Sequence, residues 1–370
     1  MKITLLAESL QKKLSYLNHA ISTRTDLPIL LNILIETEAS GIKLSATDLE
    51  IGIEITVPAE VVEEGSISVP ARSFIELVNS LPNEKLTLFL DKNMLIVESK
   101  KTKSSFQTTP ASDFPKLYED KGAMIASVSF VGLKKDASIV VLSSSTDTGR
   151  PALSGVLFKK EDEGFLLVGT DGYRLSLKHH TVTGEGSGAK EEMSIIVPAK
   201  VVREVLSMKD ENQIAIYLSR SSNQIIFEQK DVLLVGRLIE AEFPNYERII
   251  PSDHNSKASF DREALLKAVK ICSIFAREAA NIITLSLKKD MILVSSQTPS
   301  LGENTVEVEA QLVGEENEIA FNARYLLEIL SGLTQNEITL EMTGPLNPGV
   351  FKIKDDASFL HLIMPIRVQQ

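Results

Sequence analysis

A chain of 370 residues with 43 % apolar and 24 % charged side chains is long enough for two or three packed domains and is not the composition of a disordered segment. Its single cysteine, Cys272, excludes an intrachain disulfide and any multi-cysteine zinc site, as suits a protein of the reducing cytoplasm. A net charge of −11, no tryptophan and 5 % aromatics argue against a surface that grips phosphate tightly or stacks bases.

In chain order, Leu6, Leu10, Leu14, Leu17 and Ile21 share one face at helical spacing and predict a helix over Leu6–Ile21. The longest apolar run, Leu27–Ile35, is broken by Pro28 and Asn32 and falls well short of the roughly 20 residues a bilayer needs, so neither a membrane span nor an export signal is expected. Thr47-Asp-Leu49 sits between strand-like runs, Pro70 opens a shorter helix, and Asp113-Phe-Pro115 precedes the polar, turn-rich stretch Tyr118–Gly122. The series then starts again. A helix is predicted from about Leu133 to Leu142, Thr170-Asp-Gly172 lies between strands, Pro198 opens a short helix, and Glu242-Phe-Pro244 precedes the turn-rich Pro251–Ser256. Gly184–Glu192 reads as a flexible hairpin loop. A third series follows: a helix over Asp261–Arg277 carrying Leu265, Leu266, Val269 and Ile274, the weaker counterpart Ser296-Gln297, a short helix from Asn322, and an end at Met364-Pro365.

The recurrence is quantitative. Val69-Pro-Ala-Arg72, Val197-Pro-Ala-Lys200 and Phe321-Asn-Ala-Arg324 begin 128 and 124 residues apart, and a strand pair begins 17 residues after each start, at Leu86, Ile214 and Ile338. A fixed long period marks a repeat architecture. The expected domains are residues 1–125, 126–252 and 253–370, each α+β with two helices and several alternating strands. The six predicted helical stretches together carry +6, which leaves −17 on strands and loops. Helices lining one side of an assembly would make that side attract phosphate weakly, without sequence preference and with freedom to move.

These motifs, together with Met1-Lys-Ile3, Arg24-Thr-Asp-Leu-Pro28, Arg150-Pro-Ala-Leu-Ser-Gly155, Gly169-Thr-Asp-Gly-Tyr-Arg-Leu175, Glu242-Phe-Pro-Asn-Tyr246 and Met364-Pro-Ile-Arg367, resemble the beta subunit family of bacterial DNA polymerase III, the sliding clamps, over the whole chain. The resemblance implies the DNA-clamp fold. In it, three topologically similar domains, each with two helices on antiparallel sheets, close as a ring-shaped, head-to-tail homodimer around duplex DNA, helices inside and sheets outside. It implies no enzyme activity of the chain's own. The partners it implies are duplex DNA, a second copy of the chain, and the replicative polymerase, clamp loader and repair polymerases through short Gln- and Leu/Phe-containing peptides.

Carried over residue by residue, the resemblance assigns DNA contacts to Arg24, Arg72, Lys200 and, where Asp147-Thr-Gly149 replaces other residues of the family, Arg150; Arg324 stands at the position of Arg72 in repeat three. It assigns the partner-peptide pocket to Leu153, Thr170, Gly172, Tyr173, Arg174, Leu175, Pro244, Arg248, Ile249, Leu362, Ile363, Met364, Pro365, Ile366 and Arg367. The last six end the chain as exposed apolar surface, and Arg174 is expected to fix a carbonyl or carboxylate of the peptide. Tyr173 stands where many members have histidine, and Val368–Gln370 extends past the usual end. Phe106, Ile274 and Phe275 match the subunit join.

An enzyme is the weaker alternative. Asp48 and Asp171 each follow threonine at equivalent places, as a structural Asx turn does. His179 and His180 are neighbours on a strand and point to opposite faces, so they form no metal pair. No Walker sequence, dinucleotide fingerprint or nucleophile elbow appears, and no cofactor or metal is expected.

Overall fold

The computed structural model describes residues 1–22, 26–182, 193–209, 212–278, 280–298 and 302–367. Arg24, the Gly184–Glu192 stretch and Val368–Gln370 therefore lie outside the described residues.

Among the described residues there are six α-helices: α1 (Ala7–Leu17), α2 (Ala71–Ser80), α3 (Phe130–Val141), α4 (Ala199–Ser207), α5 (Arg262–Ala276) and α6 (Ala323–Gly332). They follow the predicted order, a long and a short helix per repeat, with shifted ends. Leu6 is not helical. It ends the strand Lys2–Leu6, where Ile3 and Leu5 are buried and Leu6 is 59 % exposed, so the twofold alternation of the strand takes precedence over the helical spacing there. In α1 the buried residues are Ala7, Leu10, Leu14 and Leu17. Helix α5 starts where Asp261 accepts a hydrogen bond from the Ala264 amide at 2.7 Å, and it buries Leu265, Leu266 and Val269. Ile274, expected on that face, points to solvent instead. Helix α6 is capped in the same way, Asn322 accepting from the Arg324 amide at 2.9 Å.

The strand pairings described are all antiparallel. By backbone proximity the described residues form two compact units, one of residues within 1–131 and 207–238, the other within 132–182, 193–206 and 239–367. The second repeat thus contributes to both. The reason lies in the sheets. In the first unit, the strand Ile51–Pro58 of repeat one pairs with Val232–Arg237 of repeat two, Ile53 opposite Leu234, within a nine-stranded sheet. In the second, Arg174–Thr181 of repeat two pairs with Asp356–Ile363 of repeat three, Leu177 opposite Leu360, within a twelve-stranded sheet. Repeats are joined edge to edge by backbone hydrogen bonds, so proximity groups part of the second repeat with the whole of the first and the rest of it with the third.

The two Thr-Asp turns have one geometry. Thr47 Oγ1 donates to the Ile51 carbonyl and accepts from the Leu49 amide, while Asp48 Oδ1 accepts from the amides of Glu50 and Ile51. Thr170 Oγ1 donates to the Arg174 carbonyl and accepts from the Gly172 amide, and Asp171 Oδ1 accepts from Tyr173 and Arg174. The third residue has positive φ in both, 74° at Leu49 and 91° at Gly172. These aspartates hold turns. The third copy differs: Ser296 and Gln297 lie within the strand Met291–Thr298, and Ser296 Oγ donates to the Ile282 carbonyl.

Candidate functional site

The predicted partner pocket falls entirely within the second unit. Its base is an apolar cluster in which Leu157, Leu166, Val168, Leu175, Ile196, Tyr246, Val350 and Leu362 are buried, with Phe243 and Ile250 packed against it. Leu175, Leu362 and Ile363 have no exposed surface, and Thr170 and Leu153 are buried too. The expectation that the whole terminal segment is exposed is corrected for Leu362 and Ile363: they belong to the strand Asp356–Ile363, paired on both sides, and form the floor. The accessible part is Gly172, Tyr173 (59 % exposed), Pro244, Arg248, Ile249 and Met364, with Pro365 and Ile366 half-buried and Arg367 exposed. The Met364 amide donates to the Tyr173 carbonyl at 2.8 Å and the Ile366 amide to the Ala320 carbonyl at 2.8 Å, which seats the terminal segment beside the turn.

Arg174 holds this arrangement together. Its side chain is 6 % exposed; Nε donates to Asp171 Oδ2 at 3.0 Å, Nη1 to Glu328 Oε2 at 2.5 Å and Nη2 to the Leu142 carbonyl at 2.6 Å, and the guanidinium lies 4.4 Å from the centre of the Tyr325 ring. The expected role of fixing a peptide carbonyl is therefore replaced by an internal one: one planar fork ties the Asp171 turn to α6 and to the end of α3. Burial pushes Glu328 up, but the hydrogen bonds from Arg324 and Arg174 outweigh it and hold its carboxyl below the usual range. Tyr325 and Tyr246 are residues that sequence reading did not assign to the site. Tyr246 was within reach, since it closes the Glu242-Phe-Pro-Asn-Tyr246 motif; Tyr325 follows the repeated Asn-Ala-Arg segment, but nothing in one sequence marks it.

Beneath the turn, Ser143 Oγ and Ser176 Oγ are 2.8 Å apart, and Ser176 Oγ is 2.7 Å from His361 Nδ1. Burial, with the Arg174 charge, pushes His361 down to about 3. A folded-state value below the unfolded one means that the unfolded chain binds the extra proton first, so stability falls as pH drops from the ordinary value of 6.5 towards 3. His361→Gln is expected to flatten that part of the stability profile, measured as urea midpoints at pH 7 and pH 5. An unchanged slope would contradict the assignment. His179 and His180 do point apart: His179 is exposed beside Glu161, and His180 is buried against Asp136.

The predicted DNA contacts are spread over both units. Arg72, one residue into α2, is exposed and ion-pairs with no acid among the described residues. Lys200 is exposed on the first turn of α4. Arg324 is exposed but paired with Glu328 at 2.6 Å. Arg150 pairs with Asp147 at 3.2 Å, and its Nη1 would lie 3.4 Å from a Cβ on Gly172, so it stands beside the turn of the predicted partner pocket.

At the predicted subunit join, Phe106 is half-buried on the strand Lys103–Gln107 and packs edge-on to Phe74 with ring centres 5.9 Å apart. In the other unit Ile274 is 59 % exposed on α5, with Phe275 half-buried and Ile271, which sequence reading missed, 45 % exposed one turn earlier.

Repeated two-helix modules, joined edge to edge through antiparallel sheets and carrying an apolar pocket beside one junction, define a DNA clamp. Family models of the DNA polymerase III beta subunit match in sequence: the N-terminal domain over residues 1–118, the central domain over 129–245 and the C-terminal domain over 247–367. The chain belongs to this family. A beta sliding clamp of Staphylococcus epidermidis is 28 % identical over 99 % of both chains. The crystal structure of the DNA polymerase sliding clamp from Bacillus subtilis has a TM-score of 0.95 at 28 % identity, and that of the DNA polymerase III beta subunit from Thermotoga maritima 0.90 at 27 %, each covering 100 % of both chains. No helix among the described residues is long and apolar enough to cross a membrane.

Proposed function

We infer that the chain is a sliding clamp: two copies close head to tail into a ring around duplex DNA and tether the replicative polymerase, serving also as the docking platform for the clamp loader and repair proteins. One observation supports closure above the others. Within the chain, the strand after each Thr-Asp turn (Ile51–Pro58, Arg174–Thr181) pairs with the last sheet strand of the next repeat (Val232–Arg237, Asp356–Ile363). The corresponding strand of repeat three starts at Gly302, and the corresponding last strand of repeat one is Lys103–Gln107. Among the described residues, Lys103–Gln107 is paired on one side only, and residues 302–309 pair with Met291–Thr298 alone, the rest of that strand pairing with Ser256–Asp261. Bringing these two edges together across copies repeats the internal rule and leaves no open edge of this kind. Charge supports it: Lys100, Lys101 and Lys103 flank one edge, and Glu303, Glu307 and Glu309 lie on the other. Phe106 then meets Ile271, Ile274 and Phe275 of the second copy.

On this reading the domains are residues 1–125, 126–252 and 253–370. Arg24, Arg72, Lys200 and Arg150 touch DNA phosphates, each contact weak, so that the ring slides. The chain is a processivity factor that performs no catalysis itself, and it works in the cytoplasm.

Gly172, Tyr173, Pro244, Arg248, Ile249, Met364, Pro365, Ile366 and Arg367 meet the partner peptide over a floor of Leu153, Thr170, Leu175, Leu362 and Ile363, with Arg174 setting the turn. The test is a chain ending at Ile363, which loses the two backbone bonds of Met364 and Ile366. It is expected to remain dimeric and to bind a fluorescent polymerase-derived clamp peptide at least tenfold more weakly. Wild-type affinity in that chain would refute the pocket.

A further inference from the structure

The first repeat holds a cavity at the place where the second repeat is solidly packed. Leu34, Lys43, Ser45 and Glu54 stand 123 residues before Leu157, Leu166, Val168 and Leu177. The later four lie in or against the apolar cluster beneath the partner pocket, closed over by Phe243 and Tyr246. The earlier four line a cavity of about 490 Å³ in the first unit, roofed by Ala111–Tyr118. The same fold can thus fill this face with hydrocarbon, and in repeat one it carries charge instead.

The charges are not mutually satisfied. Lys43 is shared by three carboxylates, Glu36 at 3.3 Å, Glu54 at 3.8 Å and Glu38 at 3.9 Å. Lys116, which also lines the cavity, pairs with Glu119 at 3.3 Å, and Lys121, whose charge reaches Glu54, bonds Glu228 at 2.6 Å. Glu54 has only 16 % of its side chain exposed and accepts no hydrogen bond among the described residues. Burial pushes its carboxyl up, and Lys43 offsets only part of that. Keeping an under-bonded carboxylate in a hollow is destabilising. The walls beside it are apolar: Leu34, Phe114 and Leu117. The volume falls within the range of about 300–1,000 Å³ of small-molecule sites. The described residues contain no group of three or more acids, histidines or cysteines placed to hold a metal ion.

We propose that this cavity binds a small organic cation, an amidinium or guanidinium on a compact apolar body. The planar head pairs with Glu54, supplying the hydrogen bonds its carboxylate lacks, and Glu36 adds a second acceptor. The body lies against Leu34, Phe114 and Leu117. The site is separate from the partner pocket and does not depend on ring closure.

Calorimetric titration of the full chain with benzamidine tests this, with benzoate as the probe of opposite charge. Saturable binding of one benzamidine per chain is expected, with none for benzoate. Glu54→Gln, which keeps size and shape, is expected to weaken binding at least tenfold at a urea midpoint no lower than that of the wild type. Glu36→Gln, at the same cavity, is the second variant, with a several-fold loss. Absence of saturable benzamidine binding would overturn the proposal. So would equal affinity for benzoate, or wild-type affinity in both variants.

Discussion

Ile274→Asp is expected to yield a folded chain that sediments as a monomer and confers no processivity on its polymerase. Ile274 is 59 % exposed on α5, so the carboxylate costs the isolated chain little. In the proposed ring the same side chain meets Phe106 of the second copy, and an unpaired charge there would cost ~3 kcal/mol or more, over a hundredfold in the association constant. A two-copy ring contains this interface twice, so both joins weaken together. Ile271→Asp, one turn earlier, is expected to act in the same direction. Sedimentation velocity across micromolar dilutions reads the effect, and urea midpoints separate it from misfolding. A variant still dimeric at those concentrations would place the subunit join elsewhere.

Arg174→Met is expected to be the most damaging single change at the partner site. It removes the fork that joins Asp171, Glu328 and the Leu142 carbonyl, leaving the Asp171 carboxylate without its cation and Glu328 with Arg324 alone. Breaking a buried pair in this way costs ~3–5 kcal/mol. The Asp171 turn then loses its tie to α6, and affinity for a clamp peptide is expected to fall more than tenfold even where the chain remains folded. Arg174→Lys keeps the charge without the bidentate geometry and is expected to fall between the two. Adding Glu328→Gln to Arg174→Met removes a partly buried carboxylate that has lost one of its two cations and is expected to restore part of the stability but not the peptide affinity. If peptide affinity stayed at the wild-type value in folded Arg174→Met, the guanidinium would not position the turn.

The architecture was legible because repetition supplies the evidence that a single motif lacks. Three Pro- or Asn-led helices at near-constant spacing, each followed by a strand pair, define the module without any tertiary information. The ends of elements were less legible. Leu6 satisfies both a helical and a strand period, and only pairing with the neighbouring strand Lys85–Asp91 decides between them. Ile274 likewise belongs to the helical pattern of α5 yet faces out, because helical spacing alone does not separate an apolar residue on the surface from one in the core. In the proposed partner pocket the depth of the terminal segment is not legible from sequence: Leu362 and Ile363 continue a strand inward, and only Met364 onward emerges. Arg174 was misread for a related reason. An arginine beside an exposed turn resembles a ligand-binding group, whereas Glu328 lies 154 residues away and its pairing is set by the fold. The charged cavity in repeat one left a trace in the sequence, Lys43 and Glu54 standing 123 positions before Leu166 and Leu177, but that contrast gains meaning only once both faces are seen to occupy the same place in the module.

The enclosure of DNA is tested most directly by loading the clamp onto nicked circular plasmid, removing free protein by gel filtration, and then cutting the circle once. Topological linkage predicts that the protein stays with the circle in salt high enough to abolish simple electrostatic binding, and runs off the ends after linearisation. Equal retention on circular and linear DNA, or loss from both at that salt, would contradict it.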